Sequence, residues 1–387
     1  SAVVYGANAS GKSNLILALD RMKQIVNRSA KFSSDELLPF EPFLLAETPT
    51  EQPTKFEIIF QLNDSVYTYG FSYNKIEIIE EWLLQNTNGR SRKLFIRDEN
   101  GLTINAKFPE GKKLVQFTKP NTLFLSLTDQ FNVEISKEIK RWFDRLTVIS
   151  GNYLPQLASS SINFLQSEHY NERFQKFISL FDLGFSSMSV TEIPLSNEEG
   201  AFSQKILSML SENIAEFNPE KSKSMKVITQ THHPVIDTNG VLKRTELFDL
   251  NEQESEGTKK IFDLSGKFFE ILENGGVAFI DELDAKLHPL LTLTIIKIFH
   301  STKLNPKNAQ LVFTTHDTNL MHYGNFRRDQ IYFTEKNRES STVLYSLYDF
   351  KMNQKSVRKD RDFENDYILG RYGAIPYLGD IESILEK

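Results

Sequence analysis

An eight-residue loop near the start of the chain constrains its fold more than any other feature. An apolar strand, Ala2 to Tyr5, leads into Gly6-Ala-Asn-Ala-Ser-Gly-Lys-Ser13, which fits the phosphate-loop pattern G-x-x-x-x-G-K-[ST]. Apolar residues then recur at helical spacing at Leu15, Ile16, Leu19 and Met22. A phosphate loop between a strand and a helix predicts an α/β fold, with a nucleoside triphosphate and Mg²⁺ as ligands.

Each part of this loop has a physical role in binding phosphate. Glycines let the backbone turn so that successive N–H groups point inward, and the helix starting near Gly11 adds the positive end of its dipole. We predict that Lys12 reaches the terminal phosphates and acts in catalysis, and that Ser13 binds the metal. The predicted nucleotide-binding residues here are Gly6, Ala7, Asn8, Ala9, Ser10, Gly11, Lys12, Ser13 and Asn14.

Composition excludes several other classes of protein. The chain has 387 residues, is 40% hydrophobic and contains 30 Phe, which indicates a globular protein of two or three lobes. No apolar run approaches the roughly 20 residues that span a bilayer, so no membrane partner is expected. The absence of cysteine excludes disulfides and suits a cytoplasmic protein. A net charge of -6 gives no general attraction for nucleic acid, so DNA contact is possible only locally.

The position of the phosphate loop at the first residues also leads to an expectation. A sheet of this kind usually has strands before its phosphate loop, so we expect the sequence to begin inside the domain. The given sequence shows no basic, apolar signal segment, so nothing in it argues for export.

A second apolar strand, Gly276 to Ile280, ends in two adjacent carboxylates. We predict that Asp281 binds the magnesium shell and that Glu282 polarises the attacking water as general base. Taken alone, a strand ending in Asp-Glu also fits an ordinary strand-turn boundary. The phosphate loop elsewhere in the chain favours the catalytic interpretation.

The residues after this pair continue the pattern. Asp284 follows, then a predicted helix from Leu290 to Phe299, and then a buried strand that ends in Thr314-Thr-His-Asp317. This order is similar to that of the ATP-binding cassette class, with its aspartate loop and switch histidine. We predict that Asp284 belongs to the nucleotide site and that His316 contacts the terminal phosphate. A histidine that caps a strand or helix is the alternative.

That class also has a signature segment, which covers the nucleotide bound by a second subunit. Glu254-Ser-Glu-Gly-Thr-Lys259 occupies the corresponding place, at the start of a predicted helix, where an anion is favoured. We predict that Ser255, Gly257 and Thr258 bind nucleotide in this way, although the segment departs from the common Leu-Ser-Gly-Gly-Glu form. An ordinary helix N-cap is the alternative. A glutamine loop stays unassigned, with Gln52 and Gln61 as the nearest candidates.

The long interval between the phosphate loop and Asp281 predicts inserted parts. Residues 54 to 127 alternate in hydrophobicity as strands do, which predicts an antiparallel β-subdomain. Its alternating aromatic residues Tyr67, Tyr69, Phe71 and Tyr73 predict one face of a strand rather than a base-stacking platform. Helical patterns follow at Ile135 to Leu146, Tyr170 to Leu183 and Phe202 to Phe217, with a polar break at Ser159 to Ser161. We predict an ATPase core with the β-subdomain over 1–132, an inserted helical lobe over 133–245 and the second part of the core over 246–387.

Together these segments resemble the AAA-type, ABC-like ATPases of the RloA and AbiL kind, which are related to the RecF, OLD and SMC heads. The resemblance is most specific over residues 254–258, 273–284, 287–290, 313–320, 327–333 and 370–376. It implies an ABC-like P-loop NTPase head that forms a homodimer or higher oligomer around ATP. It also implies a sensor or regulator in bacterial anti-phage defence whose partner effector is a nuclease.

Two questions about function follow from this resemblance. A Toprim nuclease centre needs a separate glutamate besides Asp-x-Asp on strand ends, whereas Asp360-Arg-Asp362 and Glu364 share one charged segment, so we predict no intrinsic nuclease. The main alternative to a regulatory ATPase is a RecF-like DNA-repair ATPase that clamps a duplex. A nucleotide-binding scaffold without turnover is a third, disfavoured by Glu282 and His316.

Overall fold

The computed structural model describes residues 1–45, 52–150, 156–194, 225–322, 324–352, 355–358 and 361–376. The chain forms two compact units. The first contains residues 1–153, 274–284 and 299–387, and the second contains residues 154–273 and 285–298. The predicted boundaries at 132/133 and 245/246 stay a prediction. No helix in the described part of the chain has the length and apolar character that crossing a membrane requires.

A six-stranded sheet forms the centre of the first unit. In spatial order its strands are Thr342–Ser346, Ile331–Lys336, Ala2–Gly6, Gln310–Thr314, Val277–Ile280 and Leu146–Ile149. Neighbouring strands are parallel except for the first two, which form an antiparallel pair. The α/β fold is therefore confirmed.

The edge strand of this sheet corrects one helix prediction. The helix expected over Ile135 to Leu146 is Glu134–Asp144, and Leu146–Ile149 pairs in parallel with Val277–Ile280. Leu146 and Ile149 are buried, and the two residues between them are half-buried. A strand of this length shows no alternation that distinguishes it from the end of a helix, so the pairing partner decides its structure.

An antiparallel β-subdomain also belongs to the first unit and confirms the prediction for this region. Its five strands follow the chain order: Thr54–Leu62, Ser65–Tyr73, Ile78–Thr87, Arg90–Asp98 and Gly101–Ile104. The predicted aromatic face of the second strand is buried and packs on rings from the first strand and from the helix Glu134–Asp144. It is therefore part of the core.

The remaining elements of the first unit are short, apart from the phosphate-loop helix. The α-helices are Lys12–Arg28, Phe124–Gln130, Glu134–Asp144 and Phe363–Ile368. The 3₁₀ helices are Ser29–Lys31, Pro109–Phe117, Thr318–Met321 and Arg328–Gln330. A two-stranded ribbon pairs Lys351–Met352 with Lys355–Ser356.

A buried carboxylate joins the β-subdomain to the helix Phe124–Gln130. Glu81 is fully buried, and its two oxygens accept the backbone N–H groups of Phe124 and Leu125 at 2.6 and 3.0 Å and the Tyr69 hydroxyl at 2.9 Å. Burial raises the pKa of this carboxyl group, and the two N–H donors act in the opposite direction. The carboxylate thus satisfies amides at the helix start that have no partner within the helix.

We expect Glu81→Ala to lower the free energy of unfolding by about 2–4 kcal/mol, because it leaves two buried amides and a buried hydroxyl without an acceptor. Urea unfolding followed by fluorescence measures the loss. Glu80→Ala, at the neighbouring exposed position, is the control and is expected to change stability by less than about 1 kcal/mol. Equal effects of the two substitutions would contradict this role.

The second unit combines helices with a small sheet. Its α-helices are Gln156–Gln166, Asn171–Ile178, Leu250–Gln253, Glu256–Asn274 and Pro289–His300, and Ser179–Phe181 is a 3₁₀ helix. The final residues of Glu256–Asn274 and Pro289–His300 are assigned to the first unit. Its antiparallel sheet has the order Leu242–Asp249, Met225–Ile236, Ser187–Pro194. The inserted lobe is therefore not wholly helical. It contains a hairpin, Met225–Ile236 with Leu242–Asp249, and a third strand that pairs with the hairpin from a distant part of the chain. The helix predicted over 202–217 lies outside the described residues.

The polar break predicted at Ser159 to Ser161 is also wrong, since these residues lie inside the helix Gln156–Gln166. Ser161 is fully buried, and its hydroxyl donates to the carbonyl of Phe262 and accepts the N–H of Gly266 at 2.8 Å. A Cβ at Gly266 would lie 2.3 Å from the Ser161 nitrogen, so only glycine permits this approach. The serine is a contact between helices.

Candidate functional site

The predicted catalytic residues meet at one edge of the main sheet. Ala2–Gly6, Val277–Ile280 and Gln310–Thr314 run in parallel, so their carboxyl ends lie side by side. A cavity of about 760 Å³ opens there and is lined by Asn8, Ala9, Ser10, Gly11, Lys12, Ser13, Asn14, Glu282 and His316. The structure therefore brings together three motifs that are far apart in the sequence.

The lysine of the phosphate loop is held inside the loop. Lys12 is buried, and its Nζ donates to the carbonyl oxygens of Gly6 at 2.8 Å and Ala7 at 3.2 Å. An ammonium group has three N–H donors, so one remains for a phosphate oxygen. Burial lowers the pKa of Lys12, and the nearby carboxylates of Asp281 and Glu282 act in the opposite direction.

The rear of the loop packs on the main sheet through two threonines. The Ser10 hydroxyl lies 2.7 Å from the Thr334 hydroxyl, and the Thr342 hydroxyl donates to the Ser10 carbonyl at 2.9 Å. Gly11 has a φ of 103°, and a Cβ on it would lie 2.1 Å from Thr342 Oγ1. Sequence reasoning missed both threonines, because their place depends on strand pairings between distant parts of the chain.

We expect Gly11→Ala to weaken ATP binding by about 100-fold, because moving the loop misplaces several amide donors to phosphate at once. Titration with a fluorescent ATP analogue measures the affinity. Gly89→Ala is the control, since Gly89 also has a positive φ, 76°, but has nothing within 4 Å of a Cβ. It is expected to cost about 1 kcal/mol of stability and to leave ATP affinity unchanged. Normal binding by Gly11→Ala would contradict the packing argument.

A buried hydroxyl fixes the Asp-Glu pair. Thr314 Oγ1 donates to Asp281 Oδ1 at 2.6 Å and accepts the N–H of Glu282 at 2.8 Å. Asp281 is buried, whereas Glu282 is exposed at the cavity and has a φ of 50°. The turn thus directs the two carboxylates to different surroundings. Sequence reasoning assigned no role to Thr314. Its place at the end of the strand that leads to His316 could have indicated one.

The third predicted acid lies next to His316, the predicted switch histidine. Asp284 Oδ2 accepts the backbone N–H of His316 at 3.3 Å, and Oδ1 is buried without a hydrogen-bond partner in the described chain. Asp284 is not among the residues that line the cavity, whereas the exposed side chain of His316 is. Asp284 therefore positions His316 in this structure, and its contact with nucleotide stays a prediction.

The residues present fit a magnesium ion held jointly with nucleotide. Ser13 offers an exposed hydroxyl in the cavity, and Asp281 offers a carboxylate oriented by Thr314. Within the described ranges, no group of three or more His, Cys, Asp or Glu residues is arranged to hold a metal ion. Mg²⁺ prefers oxygen ligands and commonly takes one or two from protein and others from phosphates and water, which agrees with this sparse set.

The predicted signature residues lie in the second unit, at the start of the helix Glu256–Asn274. Ser255 Oγ accepts the N–H of Thr258 at 3.1 Å and lies 2.9 Å from its hydroxyl, so Ser255 caps the helix. A Cβ on Gly257 would lie 3.0 Å from the carbonyl oxygen of Lys286. Ser255 therefore forms the N-cap that the alternative interpretation predicted. The contact of this segment with nucleotide stays a prediction.

The acids considered for a nuclease have other contacts. Asp362 accepts the N–H of Asn365 at 3.0 Å as the N-cap of the helix Phe363–Ile368, and Glu364 accepts the Thr318 hydroxyl at 2.9 Å. Asp360 lies outside the described residues. These contacts give Asp362 and Glu364 roles in local structure.

The mostly parallel sheet, with the phosphate loop and the cavity at the carboxyl ends of its strands, defines a P-loop fold. The chain belongs to the AAA_21 family, described as "AAA domain, putative AbiEii toxin, Type IV TA system", which matches residues 1–322. This membership confirms the predicted kinship with AAA-type ATPases. Comparison with curated protein sequences gave no match.

The chain also shows a loose likeness to solved structures of SMC heads and of RecF. The SMC head domain from Thermotoga maritima is 14% identical with a TM-score of 0.41, and 89% of each chain is covered. An SMC head bound to the C-terminal winged-helix domain of ScpA is 14% identical with a TM-score of 0.38, again with 89% of each chain covered. RecF with an ATP analogue is 15% identical with a TM-score of 0.29, covering 89% of this chain and 91% of RecF. Likeness at this level carries no functional argument.

We expect Thr314→Val to lower kcat for ATP hydrolysis by about 10- to 100-fold, because Asp281 and Glu282 lose the hydroxyl that orients them. ATP affinity is expected to change little, since the phosphate loop keeps its contacts. Steady-state turnover and analogue titration measure the two quantities. Thr292→Val is the control, because the buried Thr292 hydroxyl has no hydrogen-bond partner in the described chain. Equal turnover in both variants would exclude the orienting role.

Proposed function

We propose that this chain is an ATP-hydrolysing switch whose heads dimerise around nucleotide. The observation that carries the proposal is the single cavity that Lys12, Glu282 and His316 share. Lys12 would bind the terminal phosphates, Glu282 would accept the proton of the attacking water, and His316 would donate to the γ-phosphate. Mg²⁺, held by Ser13 and Asp281, would neutralise charge on the phosphates.

The proposal of a dimer rests on the signature segment. Ser255 is exposed, and the amides that follow it open a 19-residue helix, Glu256–Asn274, where the helix dipole favours an anion. In the proposed dimer, this helix start covers the phosphates held by the loop of the other protomer. A two-fold symmetric pair of heads then contains two composite sites, and hydrolysis in them opens the pair.

We further propose that the switch regulates a partner effector, a nuclease, in bacterial defence against phage. The family description names a toxin-antitoxin system, which supports a defensive role. The RloA and AbiL resemblance supports a separate effector. The contacts of Asp362 and Glu364 within the fold agree with nuclease chemistry being supplied by a partner.

Mixed dimers test the composite site. Lys12→Ala removes the phosphate-loop cation, Ser255→Arg blocks the signature, and each variant alone is expected to be inactive. In an equimolar mixture half of the dimers are mixed, and each has one intact site of two, so turnover is expected to recover to about a quarter of the wild-type rate. No recovery on mixing would contradict the dimer.

Mass measurements with Glu282→Gln provide the second part of this test. This variant is expected to bind ATP without hydrolysis and to accumulate as a dimer in light scattering, whereas Glu282→Gln combined with Ser255→Arg stays monomeric. Added duplex DNA distinguishes the RecF-like alternative, which requires DNA to stabilise the ATP-bound dimer. If the mass of Glu282→Gln does not change with ATP, the dimer proposal is wrong, and the proposed function is reduced to nucleotide binding.

A further inference from the structure

A compact hydrogen-bond cluster lies directly before Ser255 in the second unit. Glu254 Oε1 accepts the Thr231 hydroxyl at 2.6 Å and lies 2.8 Å from His233 Nε2, and the last two atoms are themselves 3.0 Å apart. Thr231 is fully buried, and the Glu254 side chain is only 9% exposed. Across the described ranges, no lysine or arginine forms an ion pair with Glu254. Its carboxylate therefore depends on Thr231 and His233.

The imidazole is fixed on its other sides by aromatic rings. The His233 ring lies against Phe248, with centroids 4.4 Å apart and planes at 30°, and Phe185 approaches it edge-on at 6.1 Å. His233 and Phe248 come from adjacent antiparallel strands of the small sheet, and Thr231 pairs directly with Phe248. The position of the imidazole is therefore set by the sheet, and the position of the Glu254 carboxylate is set by the imidazole.

Glu254 is the connection between two helices. The short helix Leu250–Gln253 is capped by Asp249, and Glu254 then has an extended backbone with φ -89° and ψ 159° before the helix Glu256–Asn274 begins. Ser255, the N-cap of that second helix, is the next residue. Because one peptide bond joins them, a displacement of the Glu254 backbone moves the Ser255 hydroxyl and the amides that follow it.

We propose that His233 and Thr231 are positioning residues for the signature half of the composite ATP site. By holding the Glu254 carboxylate against the small sheet, they fix Ser255 and the first amides of the helix in the orientation that a phosphate requires. This inference rests on the proposed function, because it assigns that helix start to the nucleotide of a second protomer. It predicts that His233 affects closure and turnover and does not affect binding of ATP to the phosphate loop.

Two substitutions at His233 separate its hydrogen bond from its ring contact. His233→Phe keeps a ring against Phe248 and removes Nε2, whereas His233→Gln restores an N–H at similar reach. We expect His233→Phe to lower kcat about tenfold, as for the loss of one hydrogen bond to a charged group, with KM for ATP unchanged. His233→Gln is expected to recover most of the rate. Thr231→Val, which removes the second donor, should reproduce the defect if His233→Phe folds poorly.

The neighbouring histidine supplies the matched control. His232 projects from the opposite face of the same strand, where its Nε2 lies 2.8 Å from the Ser189 hydroxyl. His232→Phe is therefore expected to leave kcat unchanged. Equal loss of rate in His232→Phe and His233→Phe would show a general effect on the sheet and would overturn the proposal, as would a normal rate in both His233→Phe and Thr231→Val.

Mixing with Lys12→Ala locates the defect within the dimer. The mixed dimer joins the intact phosphate loop of His233→Phe to an intact signature, so turnover should rise to about a quarter of wild type. If this mixture fails while Ser255→Arg and Lys12→Ala recover together, His233 acts on the phosphate-loop side and the inference is wrong. If neither mixture recovers, the proposed dimer itself is wrong. Thus the two failures are distinguishable.

Discussion

The nucleotide site depends on parallel strands that end at one edge of a sheet. Ala2–Gly6, Gln310–Thr314 and Val277–Ile280 are neighbours, and the residues that follow them supply the phosphate loop, His316 and the Asp-Glu pair. Their backbone groups pair with one another, so the strands hold the residues of the site side by side. The Thr314 hydroxyl adds a local link, because it donates to the Asp281 carboxylate and accepts the backbone N–H of Glu282.

The same constraint explains how much of the site the sequence predicted. A phosphate loop after one strand, an Asp-Glu pair after a second and a histidine after a third predict that these groups meet, since carboxyl ends of parallel strands share an edge. Thr334 and Thr342 were not predicted. Thr342 reaches Gly11 only because its strand pairs antiparallel with Ile331–Lys336, and no local pattern specifies that partner.

Errors in the predicted fold have a related cause. Leu146–Ile149 is too short to show a period, and Ser187–Pro194 in the small sheet pairs with Met225–Ile236, about 30 residues further along the chain. Local periodicity was sufficient where an element is long or its strands are joined by tight turns, as in the helix Lys12–Arg28 and the β-subdomain. It failed at Ser161, because the Ser161 hydroxyl is buried against another helix and therefore does not interrupt the helix in which it lies.

The close approach at Gly266 has a mechanical consequence for the helix Glu256–Asn274. Sliding this helix along its axis by one turn, about 5.4 Å, would bring a side chain against the Ser161 backbone and break both bonds of the Ser161 hydroxyl. Axial translation is therefore costly, whereas the helix Gln156–Gln166 can rotate with it as one piece. A rearrangement that is transmitted to Ser255 through the helix Glu256–Asn274 is therefore expected to rotate the two paired helices together, without sliding one along the other.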